Sequence, residues 1–154
     1  MSTKLKAGIV GATGMVGQRF VTLLNNHPDF EITMLAASAN SAGKKYADAV
    51  SGRWAMKEAI PASVASMTVR DAADVAGNAK LVDFIFCAVD MDKAETLKLE
   101  EAYAKAEVPV VSNNSAARGV EDVPMLLPEV NNAHLAVIEA QKKRLGTKKG
   151  FIAV

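Results

Sequence analysis

The segment Gly11-Ala12-Thr13-Gly14-Met15-Val16-Gly17 decides the fold that this sequence predicts. It follows the apolar run Leu5–Val10 and precedes an apolar-periodic segment at residues 18–26, so the order is strand, glycine turn and helix. Free backbone N–H groups and the helix dipole favour an anion at such a helix start. The G-x-x-G-x-x-G spacing varies the commoner G-x-G-x-x-G pattern of dinucleotide sites. A strand-to-helix turn without a ligand is the competing interpretation.

The composition predicts one soluble α/β domain. Its 154 residues are 50% hydrophobic but only 5% aromatic, which indicates a core of aliphatic side chains. A net charge of +1 gives no reason to expect nucleic acid or a membrane as partner. A single cysteine, Cys87, excludes an internal disulfide, and no signal peptide or membrane span is visible. We therefore expect a cytoplasmic protein.

Strand and helix patterns alternate along the chain, which predicts a Rossmann-like, doubly wound, mainly parallel sheet with helices on both faces. The apolar run 81–89 is typical of a parallel strand that is covered on both sides. Residues 123–130 contain two prolines and are expected to form an extended connection or an edge strand. The other predicted strands are 4–10, 31–37, 66–69, 108–112 and 151–154.

Four helices, the second of them a short helix or turn, are expected from the spacing of apolar residues and from capping residues. They span residues 15–26, 71–76, 90–105 and 133–144. Gly77-Asn78 should break the second helix and Gly146 should stop the fourth. In the first helix, the residues at helical spacing that we expect to be buried are Val16, Phe20, Leu23 and Leu24.

The loop after the second predicted strand indicates which dinucleotide would bind. An NAD site usually has an acidic residue about 20 residues beyond the glycine turn. Here the region contains Ser38, Ser41 and Lys44 instead, and hydroxyls and cations suit a 2′-phosphate that a carboxylate would repel. The sequence therefore favours NADP over NAD, although a polar loop with its lysines in solvent is the alternative.

A second polar loop, residues 112–118, follows the strand predicted at residues 108–112. Ligands of open parallel sheets bind outside the carboxyl ends of the strands. Asn113 and Asn114 can donate and accept hydrogen bonds, and Arg118 could bind a carboxylate or phosphate through its planar fork. A turn with a solvated arginine is the competing interpretation.

With these loops in place, the sequence resembles the N-terminal, cofactor-binding part of the aspartate-semialdehyde dehydrogenases of archaeal and fungal type. The resemblance spans nearly the whole chain and rests on residues 11–20, 37–46, 112–118 and 123–131. It implies an NADP-dependent, phosphorylating oxidoreductase that makes aspartate semialdehyde and phosphate from 4-aspartyl phosphate, on the path to lysine, methionine and threonine. It also implies that the full-length enzyme is a homo-oligomer.

The resemblance also implies roles for individual residues. Gly11 and the turn residues Thr13, Gly14, Met15 and Val16 would hold the pyrophosphate. Ser38 and Ser41, with Lys44 nearby, would lie at the 2′-phosphate, Cys87 and Ala88 would pass along the cofactor, and Asn113 would approach the nicotinamide. Asn114 and Arg118 would face the substrate phosphate, and no metal ligand is implied.

The family's nucleophile is a cysteine in a Pro-Asn-Cys motif just after the strand that matches residues 151–154, and this sequence ends before it. Cys87 lies in an apolar run where burial raises the pKa of a thiol, so we expect a core residue and no catalytic residue in this chain. Residues 1–154 are thus expected to be an NADP-binding domain that is inactive alone. Cofactor halves of malonyl-CoA or acetylglutamyl-phosphate reductases, and a stand-alone NADPH-binding module, remain alternatives.

Overall fold

The computed structural model describes residues 3–154, and these contain a six-stranded, fully parallel sheet. The spatial order is β3-β2-β1-β4-β5-β6, so the chain reverses direction across the sheet between β1 and β4. This order is that of a doubly wound dinucleotide fold, which confirms the predicted fold class. The strands are β1 (Leu5–Val10), β2 (Phe30–Ala37), β3 (Arg70–Asp71), β4 (Phe84–Cys87), β5 (Val110–Ser112) and β6 (Ile152–Ala153).

The helices connect these strands, and their ends follow capping chemistry. The Asp92 side chain accepts hydrogen bonds from the backbone N–H groups of Ala94 and Glu95 where the longest helix begins. Gly146 adopts a left-handed conformation, φ 73°, where the last helix ends, so the predicted stop is confirmed. The helices are α1 (Met15–Leu24), α2 (Tyr46–Ala49), α3 (Ala62–Ala65), α4 (Val75–Ala79), α5 (Lys93–Lys105), α6 (Pro128–Asn131) and α7 (Ile138–Leu145), with a 3-10 segment at Asn132–Val137.

Two apolar clusters cover the two faces of the sheet. On one face, α1, α2 and α3 pack over β1 and β2, around Ile9 and Leu35. On the other face, α5 and α7 pack over the strands around Val10 and Val110. Successive strand residues point to opposite faces, so one strand supplies both clusters. Across residues 3–154, no helix is both long and apolar enough to cross a membrane.

Helix α1 buries a different face from the one predicted. Gly17, Gln18, Val21 and Leu24 are buried, whereas Val16 and Leu23 are 40% and 56% exposed. Phe20 is half-buried and stacks on Phe86 with the ring centroids 4.6 Å apart. The predicted face is therefore wrong for Val16 and Leu23. The helix rests on the side that carries Gly17, the residue without a side chain, because this side lies against the glycine turn.

Two further local predictions are wrong. The short strand expected at residues 66–69 is instead β3 at Arg70–Asp71, and α4 runs through Gly77-Asn78, which were expected to break it. The Asp74 side chain caps the Gly77 N–H at 3.1 Å, and the buried Asn78 amide donates to the Asp71 carbonyl and to the Tyr103 hydroxyl. These hydrogen bonds outweigh the weak helix propensity of Gly and Asn.

The proline-containing stretch at residues 123–130 is an extended connection, as predicted, up to its last residues. The Leu126 N–H donates to the Val154 carbonyl at 2.7 Å, and the Val154 N–H donates to the Pro124 carbonyl at 3.0 Å. This stretch therefore lines up beside the chain segment that contains β6. At Pro128 the backbone turns into the short helix α6, with proline in the first turn where its missing N–H does no harm.

The contact between α1 and the glycine turn predicts the effect of a single methyl group. A Cβ atom at Gly17 would overlap the Gly11 carbonyl oxygen and lie 2.7 Å from the Ala12 Cα atom. Gly17→Ala should therefore lower the free energy of unfolding by about 1–3 kcal/mol, the usual cost of overpacking. Urea unfolding followed by circular dichroism measures this change. Gly119→Ala is the matched control, because no atom lies within 4 Å of its Cβ position; equal stabilities of the two variants would contradict the packing account.

Candidate functional site

A cleft of about 220 Å³ opens at the carboxyl edge of the sheet, where β1, β2, β3 and β4 end. Crevices at this edge, beside the point where the strand order reverses, are the ligand sites of open α/β sheets. Each of these four strands is followed by residues that line the cleft, and Arg53 closes one side. The lining residues are Gly11, Thr13, Gly14, Ala37, Ser38, Arg53, Ala72, Ala88, Val89, Asp90 and Met91.

At the floor of the cleft, the backbone of the glycine turn lies close to the backbones at the ends of β2 and β4. The Gly11 and Ala12 N–H groups both donate to the Ala36 carbonyl, at 2.9 and 3.0 Å, and the Ala88 N–H donates to the Val10 carbonyl at 2.8 Å. Gly11 has φ 89°, and a Cβ atom there would overlap the Ala88 carbonyl oxygen. Only glycine fits this position, so the turn passes between β2 and β4 without a side chain.

The start of α1 presents backbone donors at the cleft. In the part of the chain that the structure describes, the N–H groups of Met15, Val16 and Gly17 have no backbone acceptor. Gly14 precedes them as the cap residue, and its missing side chain leaves the helix start uncapped; the first turn also contains no acidic residue. The partial positive charge of the helix start is therefore not neutralised by the protein and favours an anion.

Gly14 differs from the other two glycines of the turn. A Cβ atom at Gly14 would meet only the Gly11 carbonyl oxygen, at an ordinary contact distance of 3.6 Å. Its φ of −75° is also open to any residue. The packing of the protein thus does not require glycine here. Because Gly14 lines the cleft, a side chain there would occupy space that a ligand could use.

Arg53 is the cation that lines the cleft, and no sequence pattern predicts it as a binding residue. Its Nη2 donates to the Ser41 hydroxyl at 3.1 Å, and its Nε donates to the Ala49 carbonyl at 3.0 Å. The side chain is solvent-exposed and lines the same cleft as Ser38, at the end of β2. In the sequence, Arg53 is only a basic residue that follows a turn glycine, Gly52. No pattern in the neighbouring residues indicates that this turn lies near the end of β2.

Gln18 holds the Arg53 segment against the glycine turn. Its Nε2 donates to the carbonyls of Thr13 and Arg53, at 3.0 and 3.1 Å, and its Oε1 accepts the Ala55 N–H at 2.8 Å. The side chain is only 1% exposed. Both ends of this buried amide are therefore satisfied, and the positions of the helix start and of the arginine are coupled.

The structure brings some of the predicted site residues together and leaves others apart. Gly11, Thr13, Gly14, Ser38 and Ala88 line the cleft. Met15 and Val16 follow Gly14 but do not line the cleft themselves; their side chains are exposed, and their N–H groups have no backbone acceptor within residues 3–154. Ser41 is buried beneath Arg53. Lys44, Asn113 and Arg118 are also exposed and do not line the cleft.

A second cavity of about 170 Å³ continues the cleft towards β5. The two share Val89, Asp90 and Met91, and the second cavity also reaches Thr96 and Asn114. Together they form one groove that runs from the end of β2 across β1 and β4 to the end of β5. A wider groove of about 390 Å³, lined by Lys4, Asn25, Phe30 and others, lies away from this edge, at the start of β1 and β2.

Cys87 lies beneath the groove and does not enter it. Its side chain is 0% exposed, which confirms the prediction of a core residue. That the strand end at Cys87 passes along the cofactor stays a prediction. Burial raises the pKa of the thiol well above its ordinary value, and the nearby negative charge of Glu100 raises it further. The raised pKa favours the protonated thiol, which is not the nucleophilic form.

Comparison with known proteins agrees with this geometry. Residues 6–138 match the family described as "Semialdehyde dehydrogenase, NAD binding domain". The aspartate-semialdehyde dehydrogenase of Candida albicans is 43% identical over 156 residues, which cover 99% of this chain and 41% of the relative. The enzyme of the same name from Methanothermobacter thermautotrophicus is also 43% identical, over 96% of this chain and 40% of the relative.

Among solved structures, the aspartate semialdehyde dehydrogenase of Candida albicans with NADP aligns with a TM-score of 0.84 at 41% identity. This alignment covers 98% of this chain and 42% of that one. The chain thus spans about 40% of the length of the curated relatives it matches. The match of the family model over most of the chain and the shared strand order lead to one conclusion: the chain belongs to the semialdehyde dehydrogenase NAD-binding domain family.

Proposed function

We propose that residues 1–154 form an NADP(H)-binding domain, with the cofactor pyrophosphate on the backbone N–H groups of residues 15–17. The observation that carries this proposal is made at Gly14. The space that a side chain would occupy there is open, and Gly14 lines the cleft. Phosphate oxygens would accept hydrogen bonds from the helix start and gain from its dipole. The dinucleotide then lies across the sheet, as in other doubly wound folds, with adenosine towards β2 and nicotinamide towards β4 and β5.

The end of β2 favours NADP over NAD. The residue that follows this strand is Ser38, and the cation that lines the same cleft is Arg53; the carboxylate that lines the cleft, Asp90, follows β4 instead. A guanidinium binds phosphate through charge-assisted hydrogen bonds. In this proposal Arg53 takes the role expected of Lys44, and Ser41 contributes by holding Arg53. The Candida albicans relative, whose crystal structure contains NADP, supports the same choice.

We also propose that the domain serves an aspartate-semialdehyde dehydrogenase, the name that its relatives carry. The reaction would convert 4-aspartyl phosphate to aspartate semialdehyde and phosphate, in the cytoplasm, for the synthesis of lysine, methionine and threonine. The bound cofactor would supply the hydride. The part of the chain described here would bind and orient it, and the whole enzyme would be a homo-oligomer.

Arg53 allows a direct test of cofactor selectivity. The wild-type chain should bind NADP⁺ more tightly than NAD⁺, and Arg53→Ala should weaken NADP⁺ binding by about tenfold, since it removes a charged but solvent-exposed donor. NAD⁺ binding should change little, because NAD⁺ has no 2′-phosphate. Isothermal titration calorimetry with both nucleotides measures these affinities.

Lys44→Ala is the matched control for Arg53→Ala, because its side chain is exposed and lies outside the cleft lining; it should leave both affinities unchanged. Equal wild-type affinity for the two nucleotides would contradict the selectivity proposal. A parallel loss of NAD⁺ and NADP⁺ binding in Arg53→Ala would show that the arginine acts on the fold of the cleft and not on the 2′-phosphate.

Gly14 allows a test of the pyrophosphate site that separates binding from folding. Gly14→Ala should leave the thermal unfolding temperature close to that of wild type, because the added Cβ atom meets only the Gly11 carbonyl oxygen, at an ordinary contact distance of 3.6 Å. It should lower NADP⁺ affinity by about tenfold or more, because the side chain takes up the place of the phosphate. Calorimetric titration and thermal unfolding on the same sample give both quantities. A folded variant that keeps wild-type affinity would rule out this phosphate position.

A further inference from the structure

Glu100, on α5, is a buried carboxylate without a cationic partner. It is 0% exposed, and no salt bridge reaches it from the residues that the structure describes. Its Oε1 accepts hydrogen bonds from the Ser112 hydroxyl at 2.5 Å and from the Asn114 amide at 2.8 Å. Its Oε2 is buried with no partner within residues 3–154. Such burial costs stability.

The carboxylate fixes the orientation of the Asn114 amide. Glu100 Oε1 accepts a hydrogen bond from Asn114 Nδ2, so the Nδ2 end of the amide and not the Oδ1 end faces Glu100. Nδ2 also lies 3.5 Å from the Cys87 sulfur, a weak acceptor. The Asn114 backbone N–H donates to the Ser112 hydroxyl at 3.0 Å, and this hydroxyl donates to Glu100. Glu100 therefore holds Asn114 both directly and through Ser112.

Because its Nδ2 donates to Glu100, Asn114 has its carbonyl oxygen left for a hydrogen bond with another group. Asn114 lines the second cavity together with Asp90 and Thr96, and Oδ1 has no donor among the hydrogen bonds of residues 3–154. An acceptor oxygen repels phosphate, so this geometry does not suit the contact with a substrate phosphate that the family resemblance implies for Asn114. It suits a ligand group that carries an N–H.

We infer that Glu100 is a positioning residue, which orients Asn114 so that Oδ1 accepts a hydrogen bond from the carboxamide N–H of bound nicotinamide. This inference rests on the proposed function, because it requires a dinucleotide that crosses the groove. Nicotinamide is the half that lies over β4 and β5 when the pyrophosphate is at α1, and Asn114 follows β5. Glu100 itself touches no ligand and acts only through Asn114 and Ser112.

Glu100→Gln tests the inference, since glutamine has nearly the same shape but carries both a donor and an acceptor and so no longer selects one end of the Asn114 amide. Three ligands are titrated: NADP⁺, its 3-acetylpyridine analogue, in which a methyl replaces the carboxamide nitrogen, and adenosine 2′,5′-bisphosphate, which lacks nicotinamide. Wild type should prefer NADP⁺ over the analogue by about 3- to 10-fold, the effect of one hydrogen bond. Glu100→Gln should reduce this preference and leave the affinity for the bisphosphate unchanged.

Glu95→Gln is the control, an exposed carboxylate on the same helix, and should leave all three affinities at the wild-type level. If Glu100→Gln fails to fold, Asn114→Ala provides the same readout and should also reduce the preference. A variant that keeps the wild-type preference overturns the inference. An equal loss for all three ligands overturns it too and assigns Glu100 a purely structural role. If wild type fails to bind the bisphosphate, the proposed function itself is refuted.

Discussion

The close backbone crossing after β1 is the constraint on which the rest of the structure depends. The glycine turn donates two hydrogen bonds to the Ala36 carbonyl of β2, and Gly11 lies against the Ala88 carbonyl that follows β4. Gly17 then brings α1 against the same turn. This contact sets where α1 begins, how near the ends of β2 and β4 come to it, and hence the dimensions of the crevice between them. A bulkier residue at position 11 would separate these elements.

The three glycines of this turn serve different ends. Gly11 and Gly17 are required by the protein's own packing, whereas Gly14 has free space beside it. The free N–H groups of the helix start and the Arg53 guanidinium give the cleft local positive character, although the net charge of the chain is only +1. In the proposed function, binding of an anionic cofactor thus depends on the arrangement of a few dipoles and one cation, and not on overall charge.

The fold could be predicted because its signals are local. The apolar runs of β1 and β2, the glycine spacing and Ser38 at a strand end can all be read within short windows of sequence. Arg53 could not be found this way, because the buried side chain of Gln18, 35 residues away in sequence, holds its backbone.

Other features also depend on contacts distant in sequence. Helix α4 continues through Gly77 because of hydrogen bonds made by Asp74 and Asn78. Glu100 lies in a helix rich in charge, and only the packing of α5 on β5 reveals that it is buried. Long-range partners of single polar side chains were therefore the part of the site that sequence patterns could not reveal.

The central claim is that the helix start at residues 15–17 binds a dinucleotide phosphate, and backbone amide NMR during a titration with NADP⁺ tests it most directly. The largest chemical-shift changes should occur at Met15, Val16 and Gly17, with smaller changes at Ser38 and Asn114 at the two ends of the groove. Changes confined to the groove around Lys4, Asn25 and Phe30, with residues 15–17 unaffected, would contradict the account.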